Sequence, residues 1–279
     1  MKIDAHQHFW IYNEKEYGWI SKDMSELQRD FLPGDLEERL QHLNFDGSIV
    51  VQARQSLEET SWLLELAQKY EYIKGVVGWV DLCSPDVTKQ LKRFSDNLYL
   101  KGIRHVIHDE TDDQFMLRDD FQRGIRALND FGLTFDLLLF PKHIPYAIEL
   151  VEKFPKQPFV LDHIGKPDIK NKVISPWNDD LTKLAKYKNV YVKLSGMVTE
   201  ADWKNWEKGD FNAYLDAVFN SFGPDRMMIG SDWPVCTVSN RYETVMGIVL
   251  DYVKRFAPES ENLILGENCA RFYSIKEEG

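Results

Sequence analysis

Short apolar runs alternate with amphipathic segments along the whole chain. The runs at residues 3–5, 47–51, 73–80, 100–104, 133–139, 159–161, 190–194 and 227–230 are mostly continuous rather than alternating. That is the pattern of strands covered on both faces, as in a parallel sheet. Between them, residues 35–43, 57–69, 87–98, 121–131, 143–154, 179–187, 211–222 and 242–256 carry apolar side chains at helical spacing. In the second of these, Trp62, Leu63, Leu66 and Ala67 form one stripe. Pro145 stands where a helix starts, and Pro224 where one has just ended. Strictly alternating strands and helices predict parallel pairing with right-handed crossovers. Eight such units in 279 residues predict a (β/α)8 TIM barrel, which takes about 250 residues. A doubly wound open sheet is disfavoured, because no Gly-x-Gly-x-x-Gly follows an early strand. No linker-like stretch, low-complexity tract or short repeat divides the chain, so residues 1–279 are expected to form one domain.

Composition narrows the partners. The chain is 43% hydrophobic and 28% charged, enough for a sizeable core. A formal net charge of −11 argues against binding a nucleic-acid backbone. The cysteines, Cys83, Cys236 and Cys269, are odd in number, far apart and outside any Cys-x-x-Cys pattern. Neither a disulfide framework nor a thiolate zinc site is expected, and free thiols fit a reducing compartment. There is no secretory signal and no apolar stretch near the ~18 residues of a membrane span. The cytoplasm is therefore the expected location.

In such barrels chemistry gathers at the C-terminal ends of the strands. Those ends read His6 and His8; Gln52 and Arg54; Trp79; Arg104, His105 and, close behind, His108; Asp162, His163 and Lys166; Lys193; and Asp232 and Trp233 before Pro234. His6-x-His8 on a strand places both imidazoles on one face, where a metal or a reacting carbonyl can sit. Five of the seven histidines fall at these ends; His42 and His143 fall on predicted helices and are expected to be solvated. Structural readings compete at each position. Asp232 can cap a helix, Arg104 can pair with Asp109 or Glu110, and His105 and His108 can pair with acids of the following loop. Trp79 and Trp233 can simply pack, and Lys193 can be a partner of Asp162.

At this level of detail the chain resembles the amidohydrolase superfamily, and within it the sugar-lactonase branch of fuconolactonase-like and rhamnonolactonase-like enzymes. The motifs that carry the resemblance run from end to end: DAHQHFW at 4–10, RDFLP at 29–33, VQARQS at 51–56, GVVGWVDL at 75–82, LKGIRH at 100–105, VLDHIGKP at 160–167, VKLSGMVTEADW at 192–203, FGPDRMMIGSDWPVC at 222–236 and ARFY at 270–273. The resemblance implies a hydrolase in sugar catabolism that opens an L-fucono-, L-rhamnono- or L-galactono-lactone-like ring by attack of water. It implies His6, His8, His163 and Asp232 as metal ligands and catalytic groups. Strand four offers Arg104 where two-metal relatives have lysine or glutamate, and strand five has no histidine. One divalent ion, zinc or similar, is therefore expected rather than two. A metal-free site, with the histidines bonding the lactone carbonyl directly, is the alternative. On this resemblance Asp232 is the general base and His6 and His8 polarise the carbonyl. His163 orients water or protonates the ring oxygen. Arg104, Gln52, Arg54, Trp79, His105, His108, Lys166 and Trp233 contact the sugar, and Trp10 and Trp203 close the mouth. Partners are a small-molecule lactone and, as an open question, copies of the same chain; nucleic acid and membrane are not expected. The rival readings are a zinc-dependent non-oxidative decarboxylase of the same superfamily and an inactive sugar-binding barrel.

Overall fold

The computed structural model describes residues 1–276. Its strands are β1 (Ile3–Gln7), β2 (Gly47–Val51), β3 (Ile73–Gly78), β4 (Leu100–Val106), β5 (Thr134–Leu138), β6 (Phe159–Leu161), β7 (Val190–Leu194) and β8 (Met227–Ile229). They pair in parallel and in sequence order. Just past β8 the chain returns to β1: Asp232 N–H donates to the His6 carbonyl (2.8 Å) and His8 N–H to the Trp233 carbonyl (2.7 Å). The sheet thereby closes into a TIM barrel.

The crossover helices are α1 (Pro33–His42), α2 (Leu57–Lys69), α3 (Val87–Phe94), α4 (Asp119–Asp130), α5 (Ile144–Lys153), α6 (Trp177–Leu184), α7 (Asn212–Phe222) and α8 (Tyr242–Phe256). Each buries one stripe against the strands, as α4 does with Phe121, Ile125 and Leu128. Every such side chain taken fully out of water contributes ~1.5–3 kcal/mol. The start of α2 shows why the helices begin where they do. Ser56 Oγ accepts from the N–H groups of Glu58 (3.1 Å) and Glu59 (3.2 Å), and both acids sit at the positive end of the helix. A smaller core inside the barrel joins Ile3, Ile49, Val51, Val77, Val160 and Met228 to Cys269, Phe272 and Tyr273. These last come from α9 (Asn268–Phe272), a short helix absent from the sequence expectation. No helix among the described residues is long and apolar enough to cross a membrane.

Three expectations are corrected. Strand β4 runs on to Val106, so Arg104 and His105 lie inside it and face opposite ways, as period-two geometry demands. Strand β3 stops at Gly78, leaving Trp79 in the following turn. His143 is not solvated: it is fully buried in the turn Pro141–His143, where its Nδ1 accepts the Phe140 N–H at 3.1 Å. His42 is exposed.

Candidate active site

Four polar side chains, His6 from β1 and His8, His163 and Asp232 from the segments just after β1, β6 and β8, converge at the floor of the barrel mouth. His6 Nε2 is 3.2 Å from His8 Nε2, and His8 Nε2 is 3.3 Å from Asp232 Oδ1. His6 Nε2 and His163 Nε2 each stand 3.9 Å from the same carboxylate oxygen. All four residues are buried. The backbone takes unusual routes to present them. Asp232 has φ 58°, and His163, Ile164, Gly165 and Lys166 are four successive residues with positive φ. Non-glycine residues in this region store on the order of 1 kcal/mol or more each, a cost met at sites that need an exact side-chain direction.

The outer nitrogens of the imidazoles are held as well. His8 Nδ1 donates to the Val51 carbonyl at 2.7 Å, which leaves its Nε2 lone pair directed into the site. His163 Nδ1 meets Ser195 Oγ at 2.9 Å. His6 Nδ1 lies 3.3 Å from Asp162 Oδ1 and 3.2 Å from Lys193 Nζ. Burial holds the imidazoles of His6 and His163 well below the usual range, favouring neutral rings. Donors bound ~2.0–2.1 Å from one tetrahedral ion stand about 3.3–3.4 Å apart. The separations above, and the nitrogen and oxygen donor set, fit a single divalent ion of the zinc kind. A second trio, His6, Asp162 and His163, also clusters. Its carboxylate is already neutralised by Arg104 Nη1 (3.1 Å) and Lys193 Nζ (3.0 Å). Burial opposes a charge on Asp162, yet Lys193, His6 and Arg104 hold its carboxyl well below the ordinary range. Lys193 also pairs with Asp136 (2.5 Å), which takes a hydrogen bond from Tyr273 (2.9 Å). Burial pushes the Asp136 carboxyl up to about 6.

Above this floor lies a cavity of about 350 Å³. Of the residues the sequence nominated, His8, Arg104, His108, His163, Lys166 and Asp232 line it. Arg104 reaches both His6 Nε2 (3.2 Å) and the Gln52 carbonyl. Lys166 pairs with Glu200. His108 stacks on Phe140 with ring centroids 4.7 Å apart; its Nε2 faces Asp109 (3.3 Å) and its buried Nδ1 has no partner. Burial, with Lys166 and Arg104 nearby, pushes its pKa down to about 3.

Five of the nominated sugar contacts lie elsewhere. His105 points outward, stacks on Phe115 (4.9 Å) and bonds Glu110 (2.7 Å). Trp79 turns its indole nitrogen to His105 (3.4 Å). Gln52 is buried with neither side-chain polar atom bonded, so what reaches the site is its backbone carbonyl. Trp233 is buried between Phe9 and Phe31. Arg54 pairs with Glu16 at 2.7 Å, away from the cavity. Of the mouth residues, Trp10 is wholly buried, and Trp203 donates its indole N–H to the Thr199 carbonyl (2.9 Å). The walls instead include Phe140, two residues past β5, and Trp19 and Glu200, which sit on the long connections after β1 and β7. Glu200 lies in the quoted VTEADW segment, where its spacing from Lys166 in sequence gives no hint of contact.

This geometry accords with comparison to known proteins. The family model described as Amidohydrolase matches residues 3–275. The chain belongs to the amidohydrolase family. It is 36% identical to an L-fucono-1,5-lactonase of Burkholderia multivorans, covering 99% of this chain and 97% of that one. To an L-fucono-1,5-lactonase of Burkholderia ambifaria it is 32% identical, over 98% and 96% of the two chains. A crystal structure of a Burkholderia multivorans amidohydrolase with bound zinc superposes with a TM-score of 0.96 at 35% identity, covering 99% of this chain and 100% of that one. The fold of this amidohydrolase is thus shared with that zinc-bound structure over nearly the whole of both chains.

Proposed function

We propose that this amidohydrolase is a sugar lactonase, opening a lactone such as L-fucono-1,5-lactone to its aldonic acid. The observation that carries the reading is the convergence of three imidazole Nε2 atoms and one carboxylate beneath a cavity sized for one small ligand, in a chain alike over its whole length to lactonases of that specificity. His6, His8 and Asp232, with His163 beside them, would hold one divalent ion, zinc as in the Burkholderia structure. Such an ion, when bound, supplies Lewis acidity toward the ester carbonyl and makes water more acidic.

The chain's own groups supply the rest. Asp232 takes a proton from the attacking water, and that proton passes to the ring oxygen as its bond to the carbonyl carbon breaks. Water adds across the ester and no net proton is consumed in ring opening; the acid product then ionises. The guanidinium of Arg104 sets positive charge beside the developing oxyanion. His108 stays neutral, and its unpartnered Nδ1 accepts a hydrogen bond from a substrate hydroxyl. The Lys166–Glu200 pair offers both a donor and acceptors to the remaining hydroxyls. The decarboxylase reading is weaker, since β5 brings Asp136 in place of a histidine and buries it against Lys193.

Acid release from L-fucono-, L-rhamnono- and L-galactono-lactones, followed with a pH indicator, tests the assignment. Turnover of at least one is expected, and Asp232→Asn is expected to lower kcat by about 10²–10⁴-fold. No hydrolysis of any of the three, or near-normal kcat in the variant, would falsify it.

A further inference from the structure

The connection from β1 to α1, residues 8–32, carries a packed loop over the barrel mouth. Its stem is pinned where Trp10 and Phe31 exchange backbone hydrogen bonds of 3.0 and 2.9 Å. Its body has its own core, with Tyr17, Ile20 and Leu27 buried and the Trp10 indole donating to the Arg29 carbonyl at 2.8 Å. Closed ends and internal packing make it a preformed wall in the manner of an Ω-loop. The turn Lys22–Leu27 leans on Val235–Val238, just beyond Asp232.

Two apolar side chains of this body, Trp19 and Met24, line the cavity, and Trp19 is the aromatic one. Trp19 is 38% exposed, lines the cavity and sits edge-on to Trp10 with centroids 5.7 Å apart. Tyr17 and Ile20 to either side are buried, which leaves the Trp19 backbone little freedom. A second set of contacts clips the loop to the barrel. Arg54, after β2, pairs with Glu16 (2.7 Å) and lies over the Tyr17 ring (5.7 Å). The Tyr17 hydroxyl donates to Glu59 Oε1 (3.2 Å), while Glu59 Oε2 accepts the N–H groups of Ala53 and Arg54, both at 3.0 Å. A pyranose-like lactone has hydroxyls at its rim and C–H bonds on its faces. Arg104, His108, Lys166 and Glu200 suit the rim, and a tryptophan on the same cavity suits a face.

We propose that Trp19 is the platform on which the lactone ring stacks, and that Arg54, through Glu16 and Tyr17, is a positioning residue that holds the platform in place. The inference rests on the lactonase reading of the same cavity. On L-fucono-1,5-lactone, Trp19→Ala raises KM about ten-fold while kcat changes less than about two-fold, and Trp19→Phe keeps most of the affinity. Arg54→Ala raises KM in the wild type and adds nothing in the Trp19→Ala background, since it acts only through that ring. An unchanged KM in Trp19→Ala overturns the platform, and additive effects overturn the positioning role. Binding is also read without turnover. L-Fucose, a pyranose with no ester to open, quenches the tryptophan fluorescence of the wild type and leaves that of Trp19→Phe unchanged. Quenching that depends on Trp19, without hydrolysis of any lactone, keeps the platform and removes the hydrolase. Hydrolysis with a normal KM in Trp19→Ala does the reverse, and absence of both signals removes both.

Discussion

Position 196 is glycine because the imidazole of His163 takes the space of a side chain there. Gly196 has φ +62°, and a Cβ built on it would lie 2.4 Å from His163 Nδ1. The same nitrogen must reach Ser195 Oγ at 2.9 Å. Gly196→Ala therefore strains the backbone and expels the ring together. Expected outcomes are a loss of about 1–3 kcal/mol in stability, read by denaturant titration, and a fall in kcat of about ten-fold or more. Wild-type kcat in the folded variant would mean that His163 does not need its observed pose. A similar one-residue contrast separates Arg104 from His105. The two are neighbours on β4, yet one enters the cavity and the other packs against Phe115 and Phe121 outside it.

Among the elements, α2 does more than cover the sheet. Its Glu59 is buried and turns a carboxyl back onto the segment after β2, capping the N–H groups of Ala53 and Arg54. Burial pushes that carboxyl up to about 7 from an ordinary 4.5. The sign follows from proton counting. Between about pH 4.5 and 7 the folded chain binds a proton that the unfolded chain has lost, so this group's contribution falls as pH rises through that window. Each unit by which the fold raises the pKa is worth about 1.4 kcal/mol. In Glu59→Gln the amide oxygen can still accept both N–H bonds and the amide nitrogen can donate to the Tyr17 hydroxyl. Thermal melts from pH 5 to 8 should thus fall less steeply in Glu59→Gln than in the wild type. Parallel curves would show that Glu59 is ionised across the whole range.

At the scale of the molecule, barrel closure brings together groups more than two hundred residues apart, such as His8 and Asp232. It also brings Arg104 from β4 and Lys193 from β7 onto the one carboxylate of Asp162. Two side-chain cations thereby neutralise the trio that would otherwise be a second metal centre. Purified protein supplied with zinc is expected to retain about one equivalent by elemental analysis, and two equivalents would overturn this account of Asp162. Much of this was legible beforehand. Continuous apolar runs separated by amphipathic stripes determine the order of strands and helices, because burial on two faces or on one leaves a periodic trace in the residues themselves. His6-x-His8 and the Ser231-Asp232-Trp233 turn were visible in the same way, as polar groups at the ends of buried runs. Distances across the barrel leave no such trace. Whether Arg54 met substrate or Glu16, whether Trp233 or Trp19 faced the cavity, and whether His143 was solvated depended on how loops fold over the mouth. Those loops follow no period, and their side chains find partners far away in sequence, so only the packed tertiary structure decided them.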